Sequence, residues 1–250
     1  MLFTTFGNPT HKTLMLVHGL GVSYQVFTPL IVHLQERYHI IAVQVDGFLL
    51  DAEGKAIPSV FTSIDDQVDQ LVEHIRAKYD GHIDAAYGLS MGGCIVAKLQ
   101  ERADVTIDHV ILDAAPLLPL PRWSIDPLRY YQSFNVWCSY HMSSFFKWLF
   151  RSHYFDTLLA ELAKVYPSGY GRAVRDAYKS IYTSRLECVR SADVHYWYGQ
   201  HEAFVAKYMF RHLESLAPHC RITRFPRMQH GQLVIDHPDR VAQMLVDVVG

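Results

Sequence analysis

The 250-residue sequence predicts an α/β fold in which a mostly parallel, twisted sheet carries helices on both faces. Three observations predict it. Short runs of β-branched and aliphatic residues recur and end in Gly, Asp or Ser, and amphipathic helical stretches separate them. The sharpest turn, Gly88-Leu89-Ser90-Met91-Gly92, joins the end of one such run to the start of a helix. Half of the residues are hydrophobic, which at this length is enough to bury one large core.

Taken in order, the first two buried strands are expected over residues 13–17 and 39–45. A helix follows, with Ile64, Val68, Leu71, Val72 and Ile75 on one face behind a Ser63-x-x-Asp66 capping box. A third strand, 83–87, leads into the Ser90 turn, and a helix continues through Cys94, Ile95, Ala97 and Leu99. After a fourth strand at 109–112 the rhythm breaks. Residues 117–187 hold no convincing strand and are crowded with aromatic rings from Trp123 to Phe155. The stretch reads as a helical insertion, so the chain divides into a core of 1–116 and 188–250 and a cap of 117–187. Its rings are expected to pack the cap onto the core, to line an apolar pocket, or to do both. Strands resume at 193–198 and 221–225, separated by a helix bearing Phe204, Val205, Met209, Phe210 and Leu213. A last helix starts at Pro238 behind Asp236 and His237 as its cap, with Val241, Met244, Leu245 and Val248 on one face.

Composition narrows the function. A net charge of −2 and scattered Lys and Arg leave no footprint for nucleic acid. The first residues lack a basic, apolar leader, and nowhere do eighteen apolar residues run together. A cytoplasmic protein with no stable membrane insertion is expected. The four cysteines, Cys94, Cys138, Cys188 and Cys220, are widely spaced and read as buried thiols rather than as a zinc site or a disulfide framework. His201-Glu202 lacks the second histidine of H-E-x-x-H, so a zinc protease is not supported and no metal is expected. No feature of the sequence sets the oligomeric state.

The chemistry centres on Ser90. A serine hydroxyl attacks a carbonyl only if a base takes its proton and the backbone thrusts it toward solvent. A strand-to-helix turn does the second, and Gly88 and Gly92 give the crowded turn its room. The Met91 N–H, at the start of the following helix, is placed to meet an oxyanion. A second donor, the Leu20 N–H, is expected from the glycine turn His18-Gly19-Leu20-Gly21. His18 reads as a structural turn histidine. Of fifteen histidines, His230 lies on the loop after the last strand and is the candidate base. Glu202, on the loop after the preceding strand, is the candidate acid that orients it. Asp113, which ends the strand before that, is the alternative.

In order and spacing, His18-Gly19-Leu20-Gly21, Gly88-Leu89-Ser90-Met91-Gly92-Gly93, Gly199-Gln200-His201-Glu202 and His230-Gly231 resemble the α/β-hydrolase superfamily across nearly the whole chain. The resemblance implies the α/β-hydrolase fold with an eight-stranded or slightly reduced sheet, a cap inserted after the sixth strand, no cofactor, and hydrolysis through an acyl-enzyme. Glu202 stands where many such proteins carry Asp, and Asp46-Gly47-Phe48-Leu49 stands in place of a D-x-x-G-x-G/S turn. A wall without a charged cluster points to a small-molecule substrate, a neutral or apolar ester. The same triad would also serve an acyltransferase, a carbon–carbon hydrolase or a lyase. A noncatalytic protein that binds a small apolar ligand would not need the triad intact.

Overall fold

The computed structural model describes residues 1–166 and 170–250, and of Tyr170 and Val205 the backbone alone, so the Val205 position in the helical pattern and residues 167–169 of the insertion lie outside the described side chains. Each strand expected from the sequence forms: β2 (Thr13–Val17), β3 (His39–Gln44), β4 (His82–Leu89), β5 (Thr106–Asp113), β6 (Asp193–Gly199) and β7 (Arg221–Phe225). One more, β1 (Leu2–Phe6), was not expected. Together they form a seven-stranded sheet in the order β1-β3-β2-β4-β5-β6-β7. All pairings are parallel except β1 with β3. β1 escaped the sequence pattern because it is an edge strand. None of its residues is buried, and Thr4-Thr5 shows no clean run of apolar residues.

Helices cover both faces, as alternation of strand and helix requires. On one face lie α2 (Ile64–Lys78) and α3 (Met91–Leu99), whose Val68, Leu71, Ile75, Ile95 and Leu99 meet Met15, Val43 and Val110 of the sheet. On the other lie α1 (Thr28–Leu34) and α10 (Pro238–Val249), whose Leu30, Leu34, Val241 and Leu245 meet Leu14, Ile40 and Ile111. The Ser63 hydroxyl accepts from the Asp66 N–H at 3.0 Å, which gives α2 half of the expected box. Asp66 does not reciprocate; its carboxylate accepts instead from Thr62 Oγ1 at 2.6 Å. His237 stands at the N-cap of α10, as expected, and its carbonyl accepts from the Val241 N–H at 3.1 Å. His237 makes no side-chain cap hydrogen bond, and Asp236 ends the short helix α9 (Gln232–Asp236), where it accepts from Gln232 at 2.7 Å. Of the cysteines only Cys94 is buried.

Between β5 and β6 the chain runs through α4 (Arg122–His141), α5 (Ser143–Phe150), α6 (His153–Val165) and α7 (Tyr170–Thr183). With one strand fewer than eight, the insertion follows the fifth strand rather than the sixth. It is anchored to the turn that follows β2. Buried Glu161 of α6 accepts from Ser23 Oγ at 2.8 Å and pairs with Lys164, which donates to Gln25 at 2.9 Å. A buried carboxylate survives because each lone pair it keeps from water meets a donor. The aromatic crowding corrects the expectation. Tyr154 is buried, but Trp123, Tyr130, Phe134, Trp137, Phe145 and Trp148 all stand in the open.

α8 (Ala203–Leu216) joins β6 to β7, with Met209 and Leu213 buried and Phe204 exposed, and α9 follows β7.

Candidate active site

The carboxyl ends of β4, β5 and β6 and the loop after β7 converge on one pocket of about 300 Å³. Leu20, Ser90, Glu202 and His230 all line it.

Ser90 sits between β4 and α3 at φ 54° and ψ −114°, a conformation that costs a non-glycine residue about 1–3 kcal/mol and persists only where its surroundings impose it. They do so through the backbone. The Ser90 N–H donates to the Asp113 carbonyl at 2.7 Å, and its carbonyl accepts from Cys94 at 3.2 Å. The flanking glycines are needed for space. A Cβ on Gly88 would lie 2.4 Å from the Gly92 carbonyl oxygen, and one on Gly92 only 2.1 Å from that of Val17. The strain is therefore carried by the serine itself, while the glycines let strand, turn and helix close around it.

His230 Nε2 lies 2.8 Å from Ser90 Oγ, and its Nδ1 lies 2.9 Å from Glu202 Oε2. A carboxylate only accepts, so Nδ1 carries the proton. Nε2 is then left with a lone pair to accept from the serine hydroxyl. Burial among neighbouring chain pulls the imidazole pKa down, but the Glu202 hydrogen bond, the Glu202 charge and the Asp113 charge outweigh it and hold His230 above its ordinary value. The ring still has 49% of its side-chain surface open at the pocket mouth. Glu202 ends a 3-10 turn, Gln200–Glu202, directly after β6. That turn is stitched to the loop bearing His230: the His201 N–H donates to the Met228 carbonyl at 3.2 Å, and the Arg227 N–H to the Gln200 side chain at 3.1 Å. Hydrogen bonds thus tie the loop bearing Glu202 to the loop bearing His230.

Asp113, the alternative acid, does not contact His230. Its carboxylate is buried and accepts from Tyr87 Oη at 2.5 Å. Burial pushes its pKa up to about 6, against the Tyr87 hydrogen bond and with help from the Glu202 charge. Leu20 sits beside Ser90, where Gly19 approaches so closely that a Cβ there would be 3.3 Å from that of Ser90. Met91 opens α3, with its N–H at the positive end of the helix. His18 is wholly buried. Its Nδ1–H donates to the Gly19 carbonyl at 2.8 Å and its Nε2 accepts from the Val45 N–H at 3.1 Å, so it braces the glycine turn. Burial lowers its pKa to about 4 and keeps it neutral.

Sequence reasoning missed several residues of this site. Tyr178, Ile181 and Tyr182 of α7 and Tyr196 of β6 form much of the wall, and His201 lines it too. None of the rings from Trp123 to Phe155 does. Tyr154 of α6 was also missed. Its hydroxyl donates to the His230 carbonyl at 2.6 Å, so the inserted helix holds the loop that carries the imidazole. The helical spacing of Tyr178 and Tyr182 was a readable signal; the reach of Tyr154 over 76 residues of sequence was not.

The family model described as alpha/beta hydrolase family matches residues 14–244. No curated protein matches the chain. Among solved structures, a protein from Desulfitobacterium hafniense assigned to the alpha/beta hydrolase family superposes with a TM-score of 0.81 at 18% identity, over 100% of each chain. A thermophilic esterase from Thermogutta terrifontis superposes at 0.75 with 17% identity, over 98% of this chain and 91% of that one. The enol-lactonase from Burkholderia xenovorans LB400 superposes at 0.74 with 15% identity, over 99% and 95%. At these identities the likeness is one of fold. Among the described residues no helix is long and apolar enough to cross a membrane. With 231 consecutive residues spanned by the family model, the chain belongs to the alpha/beta hydrolase family.

Proposed function

We infer that the protein is a serine esterase that cleaves a small neutral or apolar ester through an acyl-enzyme, with Ser90 as nucleophile, His230 as base and Glu202 as the acid that orients it. One observation carries the reading. Ser90 Oγ, the His230 ring and the Glu202 carboxylate form an unbroken hydrogen-bonded chain, at 2.8 and 2.9 Å, in the wall of a pocket. As Ser90 Oγ bonds to the ester carbonyl carbon, its proton passes to His230 Nε2, and the new imidazolium is stabilised by Glu202. The carbonyl oxygen becomes an oxyanion, met by the Met91 and Leu20 N–H groups. Collapse of this intermediate breaks the C–O bond, and His230 returns the proton to the departing alcohol. Water then repeats the sequence on the acyl-enzyme and frees the acid.

The pocket supports the substrate class. Alanines, Pro116, Ile181, Met209 and tyrosine rings surround the nucleophile, and Glu202 is the sole carboxylate among its lining residues. We also assign residues 117–187 as a cap on a core of 1–116 and 188–250, a division supported by the contribution of α7 to the pocket wall and of α6 to the His230 loop.

A fluorophosphonate probe, which traps an activated serine as a stable adduct, tests the reading. The parent protein is expected to label and Ser90→Ala to remain unlabelled; equal labelling of the two would remove Ser90 from the reaction. A series of p-nitrophenyl esters of increasing acyl length then reads out how much of the pocket the acyl chain fills. Tyr154 supplies a second check. Tyr154→Phe deletes only the hydroxyl that holds the His230 carbonyl, so stability in urea is expected to fall by about 1 kcal/mol. Because the imidazole then wanders, kcat is expected to drop several-fold with KM little changed. An unchanged kcat would mean that the loop is held without α6.

A further inference from the structure

The insertion presents to solvent an aromatic face, on which the Arg129 and Arg175 guanidinium groups lie over Tyr130. On α4, Trp123, Tyr130, Phe134 and Trp137 recur at intervals of seven, four and three residues, with exposed Pro127 filling the longest interval, which places them along one side of the helix. Trp123 is 81% exposed. The next helix, α5, buries no residue at all, although its sequence Ser-Ser-Phe-Phe-Lys-Trp-Leu-Phe is mostly apolar; Phe145 and Trp148 project from it. A helix that is apolar nearly all round is normally buried in a core or in lipid, and a contiguous apolar surface of this extent marks an interaction site.

We propose that this α4–α5 face docks the protein peripherally on an anionic phospholipid surface. Its charge selects that occupant. Residues 122–151 carry Arg122, Arg129, Lys147 and Arg151 against the single carboxylate Asp126, in a chain whose net charge is −2. Asp126 is itself taken up by Arg129 at 2.7 Å. A second copy of the chain would bring the same excess of cations against this one, whereas anionic headgroups complement it. The choice of side chains agrees. Tryptophan and tyrosine, with an apolar ring and one polar tip, suit the boundary between headgroups and acyl chains. With no helix long and apolar enough to span a bilayer among the described residues, the attachment is interfacial. It does not depend on the chemistry assigned to Ser90.

The test is cosedimentation of the full chain with vesicles of phosphatidylcholine alone, or of phosphatidylcholine mixed with phosphatidylglycerol, followed also by intrinsic fluorescence. Three of the four tryptophans are the exposed Trp123, Trp137 and Trp148, and the fourth, Trp197, is buried, so insertion of this face shifts the emission to shorter wavelength. Binding to the mixed vesicles is expected to be at least about tenfold tighter than to phosphatidylcholine, and to weaken with salt. Lys147→Ala with Arg151→Ala is expected to cost about fivefold per cation. Trp123→Ser, Trp137→Ser and Trp148→Ser together are expected to abolish binding, with an unchanged urea midpoint because none of the three supports the core. Equal partition into both vesicles overturns the proposal. So does failure to sediment with either, whether the chain is then monomeric or a dimer that the tryptophan variant dissolves.

Discussion

Ser90→Ala and His230→Ala are each expected to lower kcat for a p-nitrophenyl ester by about 10³- to 10⁶-fold, and the double variant to lose no more than the worse of the two. The reason is that one proton transfer joins them. Ser90 Oγ donates to His230 Nε2 over 2.8 Å, and neither group does its work alone. Once the serine is gone, the imidazole has no proton to take; once the imidazole is gone, the hydroxyl stays protonated. What survives is the contribution of the pocket and of the Met91 and Leu20 N–H groups. Loss of fold does not supply the effect for Ser90→Ala. The Ser90 side chain makes no cap hydrogen bond to α3, and alanine retains the Cβ that the left-handed turn already accommodates. Matching urea curves for parent and Ser90→Ala are therefore part of the measurement. Independent, multiplying losses in the double variant would show that the two residues serve separate steps, and the proposed mechanism would fail.

The residues that could be read in advance share a physical property: their positions are set by local backbone. Ser90 follows from a strand, a five-residue turn and a helix, all contiguous in sequence. His230 and Glu202 follow from the ends of β7 and β6, because a parallel sheet delivers the carboxyl ends of its strands to one edge. What could not be read depends on distant packing. The hydroxyl of Tyr154 reaches the His230 carbonyl because α6 docks on the core, through Glu161 on Ser23 and His153 on Asp236. The aromatic stretch misled for a related reason. Hydrophobic rings at helical spacing define a face but not what it touches, and the faces of α4 and α5 turn toward solvent while Tyr178 and Tyr182 of α7 face the pocket. β1 was missed because an edge strand buries too little to impose a pattern.

Glu202→Gln and Asp113→Asn are expected to separate two carboxylates that both act on His230 but in different ways. The first should lower plateau kcat/KM by about 10⁴-fold. A glutamine offers His230 Nδ1 either a neutral oxygen, which no longer stabilises the imidazolium, or an N–H, which forces the ring proton onto Nε2 where the lone pair is needed. Asp113→Asn should leave the plateau within several-fold of the parent, because Asp113 contacts Tyr87 and reaches His230 only through its charge. Its signature is in the pH profile. The base must be neutral, so kcat/KM rises with pH through the raised pKa of His230; removing the Asp113 charge lowers that pKa and moves the rise to lower pH. In the parent, Asp113 itself takes up a proton near pH 6, so its hold on His230 weakens as pH falls through that value. Stability carries the same sign. A carboxyl raised from 3.8 to about 6 in the folded state contributes fully below 3.8, and the contribution is lost as pH rises through about 6. Asp113→Asn should therefore gain stability relative to the parent between those two values. If Asp113→Asn instead loses the plateau and Glu202→Gln keeps it, the acid is Asp113 and the hydrogen bond from His230 to Glu202 is incidental.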